Sequence, residues 1–413
     1  MKTLILCIFY VSPIIDGITG YFMGISGTEN AISKIYRIIA FSILYFAYFK
    51  IAGRNKAAYQ ILLTGYAGLL LLYYALCGGN LIVDGSYIVK LFYPIILVSV
   101  SRVLYKEQKF DFGDINKVIG YYSLIYPSII IVSTIMGIGH SAYGGRDEGY
   151  MGVFSGGNEI SIVLAILFMV NMQRLYLKIN KKGIAIAILL GFSLLMTQTK
   201  TSYIIAAMTL VLFVAKKIRE YPEKLYKNVM LILLVSMCIT VYILLQEKQI
   251  ILMINRLTFR YYQLGSSFFN MLFSNRQNKI LPVMKANYRF GMGGVCNFLF
   301  GRGFYAQVLR DDNATFGLVE MDLFDVLFQN GIVMLCIVAR FYWHIIKQSV
   351  RSRDTLVSFA YTMAFLFSIL AGHVLYNPLS STVFALLCIY VYAHRTPFFN
   401  KVRKYSDKGS MKL

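Results

Sequence analysis

Residues 116–139 read NKVIGYYSLIYPSIIIVSTIMGIG, and this stretch decides the class of fold. It carries no charged residue after Lys117, and its apolar side chains are continuous, without the alternation that is typical of a membrane β-strand. About 20 such residues cross the roughly 30 Å hydrocarbon core of a bilayer as a helix. The stretch therefore predicts a membrane-spanning helix.

The rest of the chain repeats this pattern. Hydrophobic residues make up 58% of the 413 residues, charged residues only 15%, and the mean hydropathy is +0.62. Soluble domains carry about 25% charged residues, so this composition excludes a soluble fold. We predict an all-α polytopic membrane protein of about twelve transmembrane helices, at 3–24, 32–49, 57–77, 86–104, 116–139, 157–173, 183–198, 201–215, 228–246, 321–343, 355–375 and 379–394.

Lysine and arginine are distributed unequally between alternate connections. One side holds 26 of them and the other eleven, nine of which lie in the single long connection 247–320. Long loops are exempt from the positive-inside rule, and the short loops of the poorer side carry only Arg146 and Lys200. We predict that both termini are cytoplasmic. The net charge of +22 then reflects topology and not binding to nucleic acid.

This topology divides the chain into four parts. These are the first nine spans (1–246), a large extracytoplasmic loop (247–320), the last three spans (321–394) and a basic cytoplasmic tail (395–413). The apolar and aromatic residues of the large loop predict a folded, partly membrane-lying element. Of six cysteines only Cys296 lies outside an apolar run, so we predict neither a disulfide framework nor a metal site, and expect Cys296 alone to react with an external reagent.

The ionisable residues near the predicted outer ends of the spans are the candidates for function, because charge in or beside a bilayer is costly. We expect them to share one outward cavity. Arginine binds phosphate through a planar fork, although contact with lipid headgroups is the alternative. The residues are Arg146, Asp147, Glu148, Lys200, Arg276, Arg289, Arg302, Glu320, Asp322, Asp325 and His373.

Three local patterns leave alternatives open. The segment 144–157 (GGRDEGYMGVFSGG) has six glycines, which suit close backbone approaches or a flexible surface loop. His373 could accept a proton or could cap a helix C-terminus. Glu320, Asp322 and Asp325 could be functional or could complement a helix dipole. Asp325, like Asp16 in the first span, needs a partner.

Several motifs in this order resemble the Wzy-type polymerases of O-antigen and capsule repeat units. The motifs are Arg146 followed after ten residues by Gly157, Ser274-Asn275-Arg276, Gly301-Arg302-Gly303-Phe304, Glu320 to Gly331, and Ala371-Gly372-His373. Related O-antigen ligases have His where this chain has Glu320, which favours a polymerase. The second outward loop departs from the pattern, because eleven residues separate Arg289 from Gly301.

The resemblance implies a GT-C-like inverting glycosyltransferase of the bacterial cytoplasmic (inner) membrane, without metal or other cofactor. Its implied substrate is an undecaprenyl diphosphate-linked oligosaccharide, and its implied partners are membrane lipids and a chain-length regulator protein. Glu320 and His373 would be catalytic, and Arg146, Gly157, Arg276, Arg289 and Arg302 would bind substrate. A ligase, or a flippase or other transporter, is the alternative. Transporters tend to show internal repeats, and this chain shows none.

Overall fold

The computed structural model describes most of the chain. It covers residues 1–26, 31–141, 149–220, 275–288, 291–309, 318–351, 354–370 and 374–394, with Gly372 and isolated positions between 251 and 270. Every regular element in this part is helical. The helices are α1 (Lys2–Ser26), α2 (Ile32–Ile51), α3 (Arg54–Leu76), α4 (Leu81–Lys106), α5 (Phe112–Ile135), α6 (Gly157–Leu177), α7 (Lys181–Met196), α8 (Lys200–Glu220), α9 (Gln277–Asn287), α10 (Met292–Phe300), a short π-helix (Tyr305–Leu309), α11 (Asp322–Arg351), α12 (Thr355–Leu370) and α13 (Pro378–His394).

Seven of these helices are long and apolar enough to cross a membrane, namely α1, α2, α4, α5, α6, α8 and α11. Shorter apolar helices lie at 60–76, 355–370 and 378–394. The protein is therefore an all-helical chain with the character of a polytopic membrane protein. Eleven of the twelve predicted spans coincide with a described helix, and the ninth, 228–246, lies outside the described residues.

Local sequence explains where several helices begin. The side chain of Asn80 accepts hydrogen bonds from the amides of Ile82 (3.0 Å) and Val83 (3.1 Å) at the start of α4. Asp111 and Asp114 form a reciprocal capping box at the start of α5. These side chains satisfy amides that have no partner within their helix.

Helices α6 and α13 lie at the centre of the bundle. Nearly every side chain of α6 from Ile160 to Tyr176 is buried, and α13 is buried along almost its whole length. Both helices are apolar on all faces, as is expected of a helix that is surrounded by others. Helices α5, α7, α8, α12 and α13 pack around α6, so this centre joins the first half of the chain to α12 and α13.

The described parts of the long connection are folded against the bundle. Helices α9 and α10 pack on α11, and the segment after α10 hydrogen-bonds to the middle of α11. The amides of Arg302 and Gly303 donate to the carbonyls of Phe328 (3.2 Å) and Gln329 (2.9 Å). The connection therefore lies at the end of the bundle where α11 begins, which we call the cavity end.

Candidate functional site

A cavity of about 230 Å³ opens at the cavity end. Helices α2, α4, α6 and α13 begin there and α1 ends there, so distant parts of the sequence meet. The sequence predicted that eleven ionisable residues share one outward cavity, but none of those that the structure describes is among the residues that line this one. The lining residues are Asp16, Thr19, Met23, Ser33, Lys34, Tyr87, Lys90, Phe154, Ser155, Gly156, Glu159, Leu318, Gln329, Tyr376, Asn377, Pro378 and Leu379.

The cavity has a positive side. Lys34 from the first turn of α2 and Lys90 from α4 line it, and the ammonium of Lys90 lies 4.0 Å from the centre of the Tyr87 ring. Gly156 and Pro378 place the N-termini of α6 and α13 at the same wall. Helix N-termini carry partial positive charge and attract anions, so two lysines and two helix ends favour an anionic group here.

Glu159 adds a carboxylate to the same cavity. It lies in the first turn of α6 and hydrogen-bonds to the side chain of Asn377. It also interacts electrostatically with Arg276 and Glu320. Its carboxylate folds back over Gly156, where an added Cβ would lie 2.1 Å from Oε2. A glycine at position 156 therefore leaves the space that this carboxylate occupies.

Arg276 and Glu320, two of the predicted site residues, bind each other beside the cavity. The Nε and Nη2 atoms of Arg276 lie 2.9 and 2.8 Å from Oε2 of Glu320, and Nζ of Lys279 lies 3.7 Å from Oε1. The Arg276 side chain is 10% exposed and that of Glu320 is 38% exposed. Glu320 has a φ of 64°, a conformation that is uncommon outside glycine and is often found at functional sites.

Asp322 and Asp325 find their partners in backbone amides. Both are fully buried at the start of α11. Asp322 accepts hydrogen bonds from the amides of Val374 (2.7 Å) and Leu375 (2.8 Å), and Asp325 accepts from Val319 (3.0 Å) and Met321. The two carboxylates thereby fix the loops that present cavity-lining residues before α11 and before α13.

Asp16, whose partner the sequence left open, pairs with Arg37. Nη2 of Arg37 donates to Oδ1 of Asp16 (2.8 Å) and to the carbonyl of Pro378 (2.7 Å), while Nη1 donates to the hydroxyl of Ser33 (2.6 Å). Both charged residues are buried. A buried carboxylate in a membrane requires such a cation, so this pair closes the inner wall of the cavity.

The remaining predicted residues have different positions. Gly157 is the first residue of α6, next to cavity-lining Gly156. Arg302 donates from Nη1 to Oδ1 of Asn287 (3.3 Å) and is not among the lining residues. Arg146, Arg289 and His373 lie outside the described residues.

The described half of the glycine-rich segment is folded, and not a loose surface loop. The amide of Tyr150 donates to the carbonyl of Met196 (2.8 Å), and the amide of His140 donates to the carbonyl of Gly152 (2.6 Å). Gly152 has a φ of 64°, and an added Cβ would lie 2.7 Å from Cα of Ile130. The glycine lets the chain press against α5 and deliver Phe154, Ser155 and Gly156 to the cavity.

Sequence reasoning missed Lys34, Lys90, Glu159 and Gln329. Lys90 stands in the middle of an apolar run, and its cost in a bilayer was a usable signal. Lys34 and Glu159 each lie within the first turn or so of a helix, where a charged residue at a span end is ordinary. Gln329 carries no charge, and its place beside Asn330 within an apolar run was the signal that could have found it.

No protein-family model and no curated protein matches the sequence. The side chains themselves define the chemistry that the site can perform. The lysines and helix N-termini suit an anion, the carboxylates can accept a proton, and the amide of Gln329 can hydrogen-bond a neutral group. Among the described residues, no three His, Cys, Asp or Glu are grouped so as to hold a metal ion.

Proposed function

We propose that this protein polymerises lipid-linked oligosaccharides at the outer face of a bacterial cytoplasmic membrane. It would transfer a glycan from polyprenyl diphosphate to a hydroxyl group of a second lipid-linked repeat unit. The observation that carries the proposal is the cavity, which joins two lysines and two helix N-termini to a carboxylate at one end of an apolar bundle. The order of the sequence motifs, which resembles that of Wzy-type polymerases, supports it.

The positive side of the cavity suits the leaving group. In the reaction the acceptor oxygen attacks the anomeric carbon, and the bond from that carbon to the diphosphate breaks with its electron pair on the diphosphate oxygen. Fixed cations that face developing charge are often the largest catalytic contribution. Lys34 and Lys90 are our choices for this role, because both line the cavity.

The carboxylates suit the acceptor. Glu159 lines the cavity and is oriented by Asn377, so we assign it to receive the proton of the attacking hydroxyl. Such a base contributes about 10² to 10⁴ in rate. Glu320 is held by Arg276, and we assign this pair to positioning the acceptor glycan. Arg146, Arg289 and His373 stay further candidates from the sequence.

A reconstituted reaction tests this function. Purified protein in lipid nanodiscs would receive a single polyprenyl diphosphate repeat unit, extracted from a strain that lacks the gene and accumulates it. We expect a ladder of longer glycans on the lipid carrier. Glu159→Gln should lower the rate by at least about 100-fold, because the amide keeps the shape and loses the proton affinity. Glu107→Gln, in an exposed pair with Lys109, is the matched control and should polymerise normally.

Other outcomes would redirect the assignment. Transfer to a different acceptor without chain growth would indicate a ligase, and movement of the lipid across the membrane without a new bond would indicate a flippase. Normal polymerisation by Glu159→Gln, together with failure of Glu320→Gln or His373→Ala, would pass the role of base to that residue.

A further inference from the structure

Gln329 is a buried polar side chain that points to a ligand. It is 1% exposed, it lines the cavity, and both amide atoms, Oε1 and Nε2, lack a hydrogen-bond partner among the described residues. A buried polar atom without a partner costs about 1–3 kcal/mol, so native proteins rarely retain two on one side chain. An amide that is left unbonded in a cavity is one that a bound molecule can satisfy.

The backbone of Gln329 is held in place by two other elements of the fold. Helix α11 is interrupted at Gly331, with a φ of 78°, and the carbonyl of Gln329 accepts from the hydroxyl of Tyr74 (2.8 Å) and from the amide of Gly303 (2.9 Å). An added Cβ at Gly331 would lie 2.2 Å from the carbonyl oxygen of Leu299. Two separate elements therefore fix residue 329 in place, with its amide at the cavity.

The chemistry of an amide selects the kind of ligand. It offers one acceptor oxygen and two N–H donors and no charge. A sugar hydroxyl can donate to Oε1 and accept from Nε2, so it can satisfy both amide atoms. An ionised phosphate can accept only from Nε2 and would be repelled by Oε1. The lysines that line the same cavity supply the site for the phosphate. A molecule that satisfies both sides carries hydroxyl groups and a phosphate together.

We infer that Gln329 hydrogen-bonds a hydroxyl of the sugar ring next to the phosphate, in a glycosyl phosphate whose phosphate lies at Lys34 and Lys90. This inference rests on the proposed function and deepens it, because it makes Gln329 a residue that determines which sugar the donor carries. The cavity volume of about 230 Å³ lies below the roughly 300–1,000 Å³ of drug-sized pockets, which suits one sugar ring with its phosphate.

Binding measurements on the purified full chain test the inference. The probes are inorganic diphosphate and a panel of soluble glycosyl phosphates of hexoses, N-acetylhexosamines and hexuronic acids, titrated by calorimetry. Wild-type protein should bind at least one glycosyl phosphate more tightly than diphosphate. Gln329→Met, which has similar shape without the amide, should reduce this preference about tenfold, as is expected for the loss of one buried hydrogen bond. Diphosphate binding should be unchanged in this variant and weaker in Lys34→Gln and Lys90→Gln.

Gln307 provides a matched control. It is also buried, at 5% exposure, both of its amide atoms also lack a partner among the described residues, and it does not line the cavity. Gln307→Met should bind every probe as wild type does. Both methionine variants should be at least as stable as wild type in a thermal unfolding assay, because each removes an unsatisfied buried amide.

The inference is overturned if wild-type protein shows no preference for any glycosyl phosphate, or if Gln329→Met keeps the whole preference. Should Gln329→Met fold poorly, Gln329→Asn replaces it, since the shorter amide stays polar and should lose the preference by withdrawing from the sugar. The proposed function fails separately. Sugar-selective binding without chain growth would contradict the polymerase function and support the Gln329 site. Chain growth with unchanged selectivity in Gln329→Met would support the polymerase function and contradict the Gln329 site.

Discussion

The two ends of the helix bundle bury similar polar groups and differ in what those groups bond. At the end opposite the cavity, Asp354 accepts hydrogen bonds from the amide of Leu356 (3.2 Å) and from the side chain of Gln173, and it contacts Nε2 of His394 (3.1 Å) and Nζ of Lys216 (3.4 Å). This cluster joins α6, α8, α12 and α13, and its charged groups pair with one another, although Oε1 of Gln173 lacks a partner among the described residues.

At the cavity end the arrangement is incomplete. Gln329 has no partner for either amide atom among the described residues, and Glu320 keeps an uncommon backbone conformation. Natural proteins satisfy buried polar groups where nothing but stability is required. The contrast teaches that the first end holds the bundle together, whereas the second end is shaped for a molecule that the chain itself does not supply.

The largest expected effect comes from Gly331→Ala at the cavity end. The new Cβ would meet the carbonyl of Leu299 at 2.2 Å, and alanine disfavours a φ of 78°. We expect a loss of about 3 kcal/mol or more, together with the loss of glycosyl phosphate binding, because Gln329 would shift. Thermal unfolding and calorimetry measure both. In α5, Gly120→Ala meets nothing within 4 Å and should be neutral or mildly stabilising. An intact Gly331→Ala protein with full binding would contradict the described crossing of α10 and α11.

The next effect concerns stability alone. Asp354→Asn should destabilise the protein by on the order of 3 kcal/mol, because it leaves Lys216 and His394 without their buried anion, and it should leave glycosyl phosphate binding intact. The exposed pair of Glu107 and Lys109 supplies the control, since Glu107→Gln should cost less than about 1 kcal/mol. A binding defect in Asp354→Asn at unchanged stability would contradict the assignment of stability to one end and ligand binding to the other.

The same carboxylate gives a pH dependence with a definite sign. Burial acts to raise the pKa of Asp354, but the hydrogen bond from His394 and the charge of Lys216 outweigh it, so the pKa lies below its ordinary value of 3.8. The ionised form therefore stabilises the fold fully above about pH 4, and this contribution disappears as the pH falls through the lowered pKa. The stability difference between wild type and Asp354→Asn should shrink from pH 6 towards pH 3. A difference that grows on acidification would reverse the sign.

The smallest expected effect comes from thiol labelling, which tests the side of the membrane that each end of the bundle faces. Cys296 on α10 is partly exposed, and Cys77, directly after α3, is exposed at the cavity end. The sequence predicted Cys296 as the one reactive thiol, and the structure adds Cys77. Both should react with a membrane-impermeant maleimide added to intact cells, whereas Lys109→Cys, on the exposed turn before α5, should react only after permeabilisation. The opposite pattern would invert the predicted topology.

Much of the helical framework was predictable, because each span is a continuous apolar run between charged turns. The run 116–139 corresponds to α5, although the helix is Phe112–Ile135, since the capping box starts it earlier and Gly137 follows its end. The break at Gly331 was not predictable. Gln329-Asn330-Gly331 interrupts the apolar run, but the conformation at Gly331 is set by a tertiary crossing with Leu299. Local propensity carries no information about such a contact.

The site was predictable only as to the end of the helix bundle at which it lies. Topology placed Arg276, Glu320 and the acidic start of α11 at one end, and the described helices agree with that grouping. It could not show that Arg276 forms an ion pair with Glu320, because pairing depends on a three-dimensional distance. It also directed attention to arginines in loops, whereas the cations that line the cavity are Lys34 and Lys90, which belong to apolar helices.

The bond from Arg37 to the carbonyl of Pro378 joins residues 341 positions apart in the chain. During synthesis α1 and α2 enter the bilayer long before α13 leaves the ribosome, so the guanidinium of Arg37 at first has only Asp16 and Ser33 as partners. Helix α13 supplies the remaining acceptor and, with Asn377, part of the cavity wall. Formation of the cavity is thus tied to the synthesis of α13, and a chain that stops before α13 would carry an under-bonded cation in its first helical hairpin.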